Sequence, residues 1–227
     1  MPPHPSIHMP RPFPARGLYA VTPEGLQGEA LLDAVREAVG GGAKAVQYRN
    51  KSKDRKGRKR DAAGLTALCR ALSVPLIIND DVELAVEVQA DGVHVGREDP
   101  APEAAREYMV HRHGADWARD AIIGVSCYDE LARARQALAS GADYIAFGSF
   151  FPSATKPSAV RAALDLLSAI RPSAQVPIVG IGGITAENAG VLLEHGVDVV
   201  AVVQGIFGAG DPKAGAESFS CLFEGGT

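Results

Sequence analysis

The sequence predicts an α/β fold, a single (β/α)8 TIM barrel, on three observations. Eight short apolar or β-branched runs recur along the chain, and each is followed by an Ala/Leu/Glu-rich segment of helical period. The runs are almost continuously apolar rather than alternating, as strands of a parallel sheet buried on both faces are. Eight such units occupy about 210 residues, the compact end of the range for such barrels. An open doubly wound sheet is the competitor. It usually needs fewer units, and no GxGxxG opens a helix after the first run.

The elements follow in order. Residues 1–16 contain six prolines and no apolar stretch of signal-peptide type, so they are expected to be an extended, poorly ordered leader to a barrel domain spanning 17–227. The first strand is 17–22 (GLYAVT), and the helical segment 29–40 leads to the second, 43–48 (AKAVQY). Helix 60–72 precedes strand 75–79 (PLIIN), and helix 81–89 precedes strand 92–95 (GVHV). Helix 102–113 is followed by strand 121–126 (AIIGVS), and helix 129–140 by strand 143–148 (DYIAFG). Helix 159–171 leads to strand 177–182 (PIVGIG), helix 186–195 to strand 198–203 (VDVVAV), and helix 211–223 closes the series. The joints repeat as well: Gln89-Ala90-Asp91-Gly92, Gly141-Ala142-Asp143 and Gly196-Val197-Asp198 each join a helix to a strand, with glycines suited to helix C-caps.

Composition excludes several classes. The 227 residues carry a net charge of −4, with 46% hydrophobic and 22% charged residues, as a soluble globular protein does. Three widely spaced cysteines, Cys69, Cys127 and Cys221, offer neither a disulfide framework nor a zinc pattern and fit a reducing, cytoplasmic setting. The longest aliphatic stretch, Val199 to Val203, is far too short to span a bilayer.

Chemistry in a barrel collects at the C-terminal strand ends. The second strand ends in Gln47, Arg49 and Lys51, which alternate along an extended chain and therefore point the same way, a polar face with two cations that suits a phosphate or diphosphate. Asn79 and Asp80 follow the apolar Leu76-Ile77-Ile78; Asp80 could instead cap a helix. Asp99 lies one strand further round. Two carboxylates converging beside a diphosphate are the usual way to hold Mg²⁺. The fifth strand runs into Ser126, and Ser153, Thr155 and Lys156 form a hydroxyl and cation cluster between Pro152 and Pro157. Gly182-Gly183 and Val203-Gln204-Gly205 stand where barrels commonly bind phosphate through backbone N–H groups.

Other residues are read as structure. His94 is expected to be a packed, hydrogen-bonded core histidine, Cys127 no nucleophile, and Trp117 with Phe150-Phe151 packing. Between Arg49 and Asp61 lie eight of the 23 basic residues and two acids. The run Lys51–Arg60 is short and lacks aromatic partners for base stacking, while the rest of the chain is acidic. It is expected to be a solvated, mobile loop and helix start that raises the positive potential over the site, with no nucleic acid or membrane partner.

Together these motifs resemble the thiamine phosphate synthase family over about residues 17–212. They are GLYAVT, Gln47-x-Arg49-x-Lys51, LIIND ending at Asp80, ADGVHVG with Asp99, IGVS at Ser126, Gly148-x-x-Phe151-Pro152-Ser153-Ala154-Thr155-Lys156-Pro157 and IGGIT at Gly182-Gly183. The resemblance implies a transferase that joins 4-amino-2-methyl-5-pyrimidinylmethyl diphosphate to a hydroxyethylthiazole phosphate by a dissociative route, with release of diphosphate. By matching positions, Arg49, Lys51, Asn79 and Lys156 would hold the diphosphate, and Asp80 with Asp99 the Mg²⁺. Gln47 and Ser126 would meet the pyrimidine. Ser153, Thr155 and the backbone at Gly183, Val203 and Gln204 would take the thiazole phosphate. Arg49, Lys51, Ser126 and Lys156 would be the catalytic set. The partners implied are these small molecules, handled alone or as a homo-oligomer. Three positions depart from the family pattern: Arg97 for a usual Gln, Ser153 for Thr, and Gln204 for a common Ser. Rival readings are a thiazole tautomerase-like isomerase, which would not need the diphosphate residues, and a non-catalytic phosphate-binding barrel, which has no reason to assemble two metal carboxylates.

Overall fold

The structure, a computed structural model, describes residues 9–152, 160–208 and 210–223. Eight parallel strands close into a barrel in sequence order: β1 (Gly17–Val21), β2 (Ala43–Tyr48), β3 (Leu76–Asn79), β4 (Gly92–Val95), β5 (Ile122–Tyr128), β6 (Tyr144–Phe147), β7 (Ile178–Ile181) and β8 (Val199–Val202). The barrel shuts where Gly17 pairs with Val199 on one side of β1 and Leu18 with Ala43 on the other. Around it run α1 (Gly28–Gly40), α2 (Arg55–Ala71), α3 (Val82–Glu87), α4 (Pro102–His113), α5 (Ala115–Asp120), α6 (Leu131–Ala139), α7 (Asp165–Ile170), α8 (Ala186–Glu194), α9 (Gln204–Phe207) and α10 (Pro212–Ser220).

Both faces of the strands are buried, which is why they read as unbroken apolar runs. Tyr19, Val21, Ile77, Tyr144, Val179 and Ala201 fill the barrel interior, whereas Leu18, Ala20, Val46, Ile78 and Val200 point outward beneath the helices. One glycine makes the interior possible. A Cβ at Gly124 would lie 1.9 Å from the Tyr144 ring, so only a residue without a side chain leaves that ring its place.

The repeated Asp joints have a shared task at the N-terminal end of the barrel. Asp91 accepts from the Leu76 N–H, Asp143 from that of Ile123, and Asp198 from that of Ile178, each at the start of the preceding strand, at 2.9, 2.7 and 2.8 Å. Each also binds an arginine: Arg11, Arg106 and Arg171 respectively. Gly141 and Gly196 adopt positive φ as helix terminators, and Gln89 does the same without glycine.

Four expectations change. Two residues of the leader are docked on the barrel: the Arg11 N–H and guanidinium bind Asp91, and Phe13 stacks on Tyr144 with centroids 4.0 Å apart. Helix α2 starts at Arg55 rather than residue 60, because Asp54 caps it by accepting from the Gly57 N–H. The basic run is therefore largely helical rather than a mobile loop, and Arg55, Arg58 and Lys59 are paired with Glu83, Asp81 and Glu87 on and beside α3. Helix α5, which carries buried Trp117, forms where Gly114 ends α4 at positive φ and the chain restarts as a helix. Helix α7 occupies only the C-terminal part of the predicted 159–171 segment, and a 3-10 turn continues it at Arg171–Ser173.

Candidate active site

A cavity of about 480 Å³ opens among the C-terminal strand ends. It brings together Gln47, Arg49, Asn79, Ser126, Gly183, Val203 and Gln204, seven of the residues singled out in the sequence, from β2, β3 and β5 and the loops after β7 and β8. Ser153, Thr155 and Lys156 lie outside the described residues. Lys51, Asp80 and Asp99 form a second cluster next to Asn79 and do not line the cavity itself.

The two cations already hold anions. Arg49 Nη1 sits 2.6 Å from Glu24 Oε1, in the loop after β1, and its backbone N–H donates to Thr22 Oγ1 at 3.0 Å. Lys51 Nζ lies 3.3 Å from Asp80 Oδ2. Both cations are thus held in place by carboxylates.

The second cluster is built around backbone geometry. Asp80 stands at φ +64°, a left-handed conformation that costs an L-residue roughly 1–2 kcal/mol, and its N–H is held 2.8 Å from the His94 carbonyl. Asp99 accepts from the Gly96 N–H at 2.7 Å, so a tight loop after β4 turns it back toward β3. The two carboxyls are near enough to influence each other's ionisation. Partial burial raises the Asp99 pKa, the neighbouring Asp80 raises it further, and the Gly96 N–H opposes both. Two acids crowded in this way suit a hard divalent cation that keeps water and substrate oxygens as its other ligands. Among the described residues no group of three or more His, Cys, Asp or Glu is assembled as a metal cage.

The loop after β7 is shaped by Gly182 and Gly183, at φ +101° and +67°. A Cβ on Gly183 would sit 2.3 Å from the Pro152 carbonyl oxygen. Asn188 braces this loop, donating to the Gly183 carbonyl at 3.1 Å and accepting from the Thr185 N–H at 2.9 Å.

Several cavity residues escaped the sequence reading. Tyr19, Tyr144, His94, Glu24 and Tyr128 line it as well. His94 is the buried, hydrogen-bonded histidine that was expected, 7% exposed, yet it also forms part of the wall. Burial drives its pKa down to about 4, against the weaker pull of Asp80. Burial likewise raises Tyr19 and Tyr144 above the ordinary phenol range. Cys127 is pushed up to about 12, mainly by burial, and remains a thiol, in line with its dismissal as a nucleophile. Arg97, one of the departures from the family pattern, lies over the Tyr128 ring at 4.9 Å and pairs with Glu130.

A closed barrel with a polar cavity at its C-terminal strand ends defines the class: a (β/α)8 enzyme acting on small molecules. The chain belongs to the thiamine monophosphate synthase family, whose model matches residues 18–206. It is 49% identical over 212 residues to a thiamine-phosphate synthase of Methylococcus capsulatus, covering 93% of this chain and 91% of that one. It is 50% identical over 208 residues to one from Azoarcus sp. strain BH72, covering 92% and 97%. A solved thiamine phosphate pyrophosphorylase from Pyrococcus furiosus superposes with a TM-score of 0.80 at 35% identity, covering 92% of this chain and 96% of that one.

Proposed function

We propose that the protein is the transferase of thiamine biosynthesis that joins 4-amino-2-methyl-5-pyrimidinylmethyl diphosphate to hydroxyethylthiazole phosphate. In that reaction the C–O bond to diphosphate breaks and its electron pair leaves with diphosphate. The thiazole nitrogen then supplies the pair for the new C–N bond, giving thiamine phosphate with no proton moved.

The observation that carries the reading is the division of labour in the site. Arg49 and Asn79 stand in the cavity wall with Lys51 just beyond, on the side where negative charge would grow. Fixed donors and cations directed at a departing anion lower such a barrier most. Asp80 and Asp99 would hold Mg²⁺, which when bound supplies further positive charge to the leaving group. Gln47 and Ser126 would orient the pyrimidine. The Gly183 loop and the backbone at Val203 and Gln204 would take the thiazole phosphate, with Ser153 and Thr155 in the same role. Lys156 would join Arg49, Lys51 and Asn79 on the diphosphate.

This chemistry needs no strong protein nucleophile, and buried Cys127 offers none. The adjoining Asp80 and Asp99 disfavour an isomerase of thiazole phosphate and a binding-only barrel, because neither uses a leaving-group site. We place the reaction in the cytoplasm, in keeping with three unpaired cysteines. Among the described residues no helix is long and apolar enough to cross a membrane.

The test is a metal titration. Purified protein with both precursors is expected to turn over only with Mg²⁺ present and to stop on addition of EDTA. Turnover indifferent to EDTA would remove Asp80 and Asp99 from the mechanism.

A further inference from the structure

Five polar side chains from five strands form one hydrogen-bonded chain through the barrel interior. Gln47 Nε2 donates to the Tyr19 hydroxyl oxygen at 2.9 Å. The Tyr19 and Tyr144 hydroxyls are 3.0 Å apart, Tyr144 reaches His94 Nδ1 at 2.8 Å, and His94 Nε2 reaches Ser126 Oγ at 2.8 Å. Barrel interiors are ordinarily filled with branched aliphatic residues. Polar groups buried there carry a desolvation cost unless every proton finds an acceptor.

Counting donors assigns the direction of each bond. Tyr19 accepts from Gln47, so its single O–H goes to Tyr144. Tyr144 then has one proton, which goes to His94 Nδ1. A histidine accepting at Nδ1 carries its proton on Nε2, which donates to Ser126. Ser126 Oγ is thereby occupied as an acceptor and its own O–H is left for the cavity. Gln47, its NH₂ turned to Tyr19, leaves its carbonyl oxygen for the cavity. Turning the Gln47 amide over would reverse every link, so the two ends always offer opposite hydrogen-bonding faces.

We propose that this chain is a polarity relay: Tyr19, Tyr144 and His94 are positioning residues that fix Gln47 as an acceptor and Ser126 as a donor toward the bound ring. The ligand it selects is a heteroaromatic ring with an amino donor on one edge and an acceptor on another. Its assignment to the aminopyrimidine rests on the function proposed above.

The first measurement needs no substrate. Long-range ¹H–¹⁵N correlation on the ligand-free protein at neutral pH should find His94 as the Nε2–H tautomer. The Nδ1–H tautomer or a charged ring would overturn the assigned direction. The second uses Tyr144→Phe, which keeps the ring and removes the link, with Tyr19→Phe as a companion should the first variant not fold. Loss of the two buried hydrogen bonds made by the Tyr144 hydroxyl predicts a mixed His94 tautomer and a KM for the pyrimidine diphosphate raised about tenfold or more, with the thiazole phosphate KM unchanged. Unchanged KM values, or both rising together, would mean the chain only packs the barrel. Absence of synthase turnover in the unmodified protein would defeat the functional reading and leave the tautomer result standing.

Discussion

Replacing Gly183 with alanine separates what the loop after β7 needs from what the fold merely tolerates. Gly183 lies at φ +67°, where an L-residue costs roughly 1–2 kcal/mol. Its new Cβ would fall 2.3 Å from the Pro152 carbonyl oxygen and 2.7 Å from that of Phe151. Both are backbone atoms, so no side chain can swing away, and forced overpacking of this kind costs about 1–3 kcal/mol. Together these give about 3 kcal/mol, which lowers the melting temperature of a chain this size by about 6–12 °C. Because the cavity wall includes Gly183, the thiazole phosphate KM should rise by about tenfold or more, with less change for the pyrimidine diphosphate. The control is Gly190→Ala in α8, where a Cβ meets nothing within 4 Å. It should stabilise by about 0.4–1 kcal/mol with unaltered kinetics. Scanning fluorimetry and initial rates on both variants decide the matter. A Gly183→Ala protein with unchanged melting temperature and KM would refute the close-packed loop and its assigned role.

Three further outcomes follow from the geometry. Asp99→Asn keeps an oxygen for the Gly96 N–H and removes a carboxylate whose pKa is raised by burial and by Asp80, so the metal-free variant should melt no lower than the parent at neutral pH. Its kcat/KM should nevertheless fall by about 10²-fold or more if the acid holds Mg²⁺, and an unchanged rate would end that assignment. His94, depressed to about 4, contributes stability that is fully present above the unfolded pKa of 6.5 and is lost as the pH falls toward 4, by about 3 kcal/mol. Urea unfolding at pH 7 and pH 4.5 should show that loss and show it reduced in His94→Gln; equal slopes in the two proteins would contradict it. Phe13→Ala uncovers Tyr144 and Tyr19 and should cost about 3 kcal/mol, checked by the same denaturation, whereas a wild-type midpoint would return Phe13 to a loose leader.

Local sequence carried the closed barrel well and the packing around it poorly. Runs such as Leu76-Ile77-Ile78 and Val199 to Val202 mark strands because parallel strands are apolar on both faces. The start of α2 is obscure in the sequence because Arg55 to Arg60 offers no apolar period, although Asp54, three residues before Gly57, is a readable cap. The docking of Arg11 and Phe13 is hidden in the prolines, since Asp91, which holds Arg11, lies 80 residues away. The site divides in the same way. Gln47, Arg49, Asn79 and Ser126 were legible as polar residues ending apolar strands. Tyr19 and Tyr144 were not, because each sits inside an apolar run and reads as packing. Their hydroxyls meet only when β1 and β6 face each other across a closed barrel. Glu24 escaped notice because nothing in its loop shows that it will face Arg49.

The most direct measurement is product stoichiometry from purified protein, both phosphorylated precursors and Mg²⁺, with each product quantified by chromatography. Thiamine phosphate and diphosphate rising together, one for one, is the predicted result. Rearranged thiazole phosphate without released diphosphate, or bound but unchanged precursors, would contradict the transferase account.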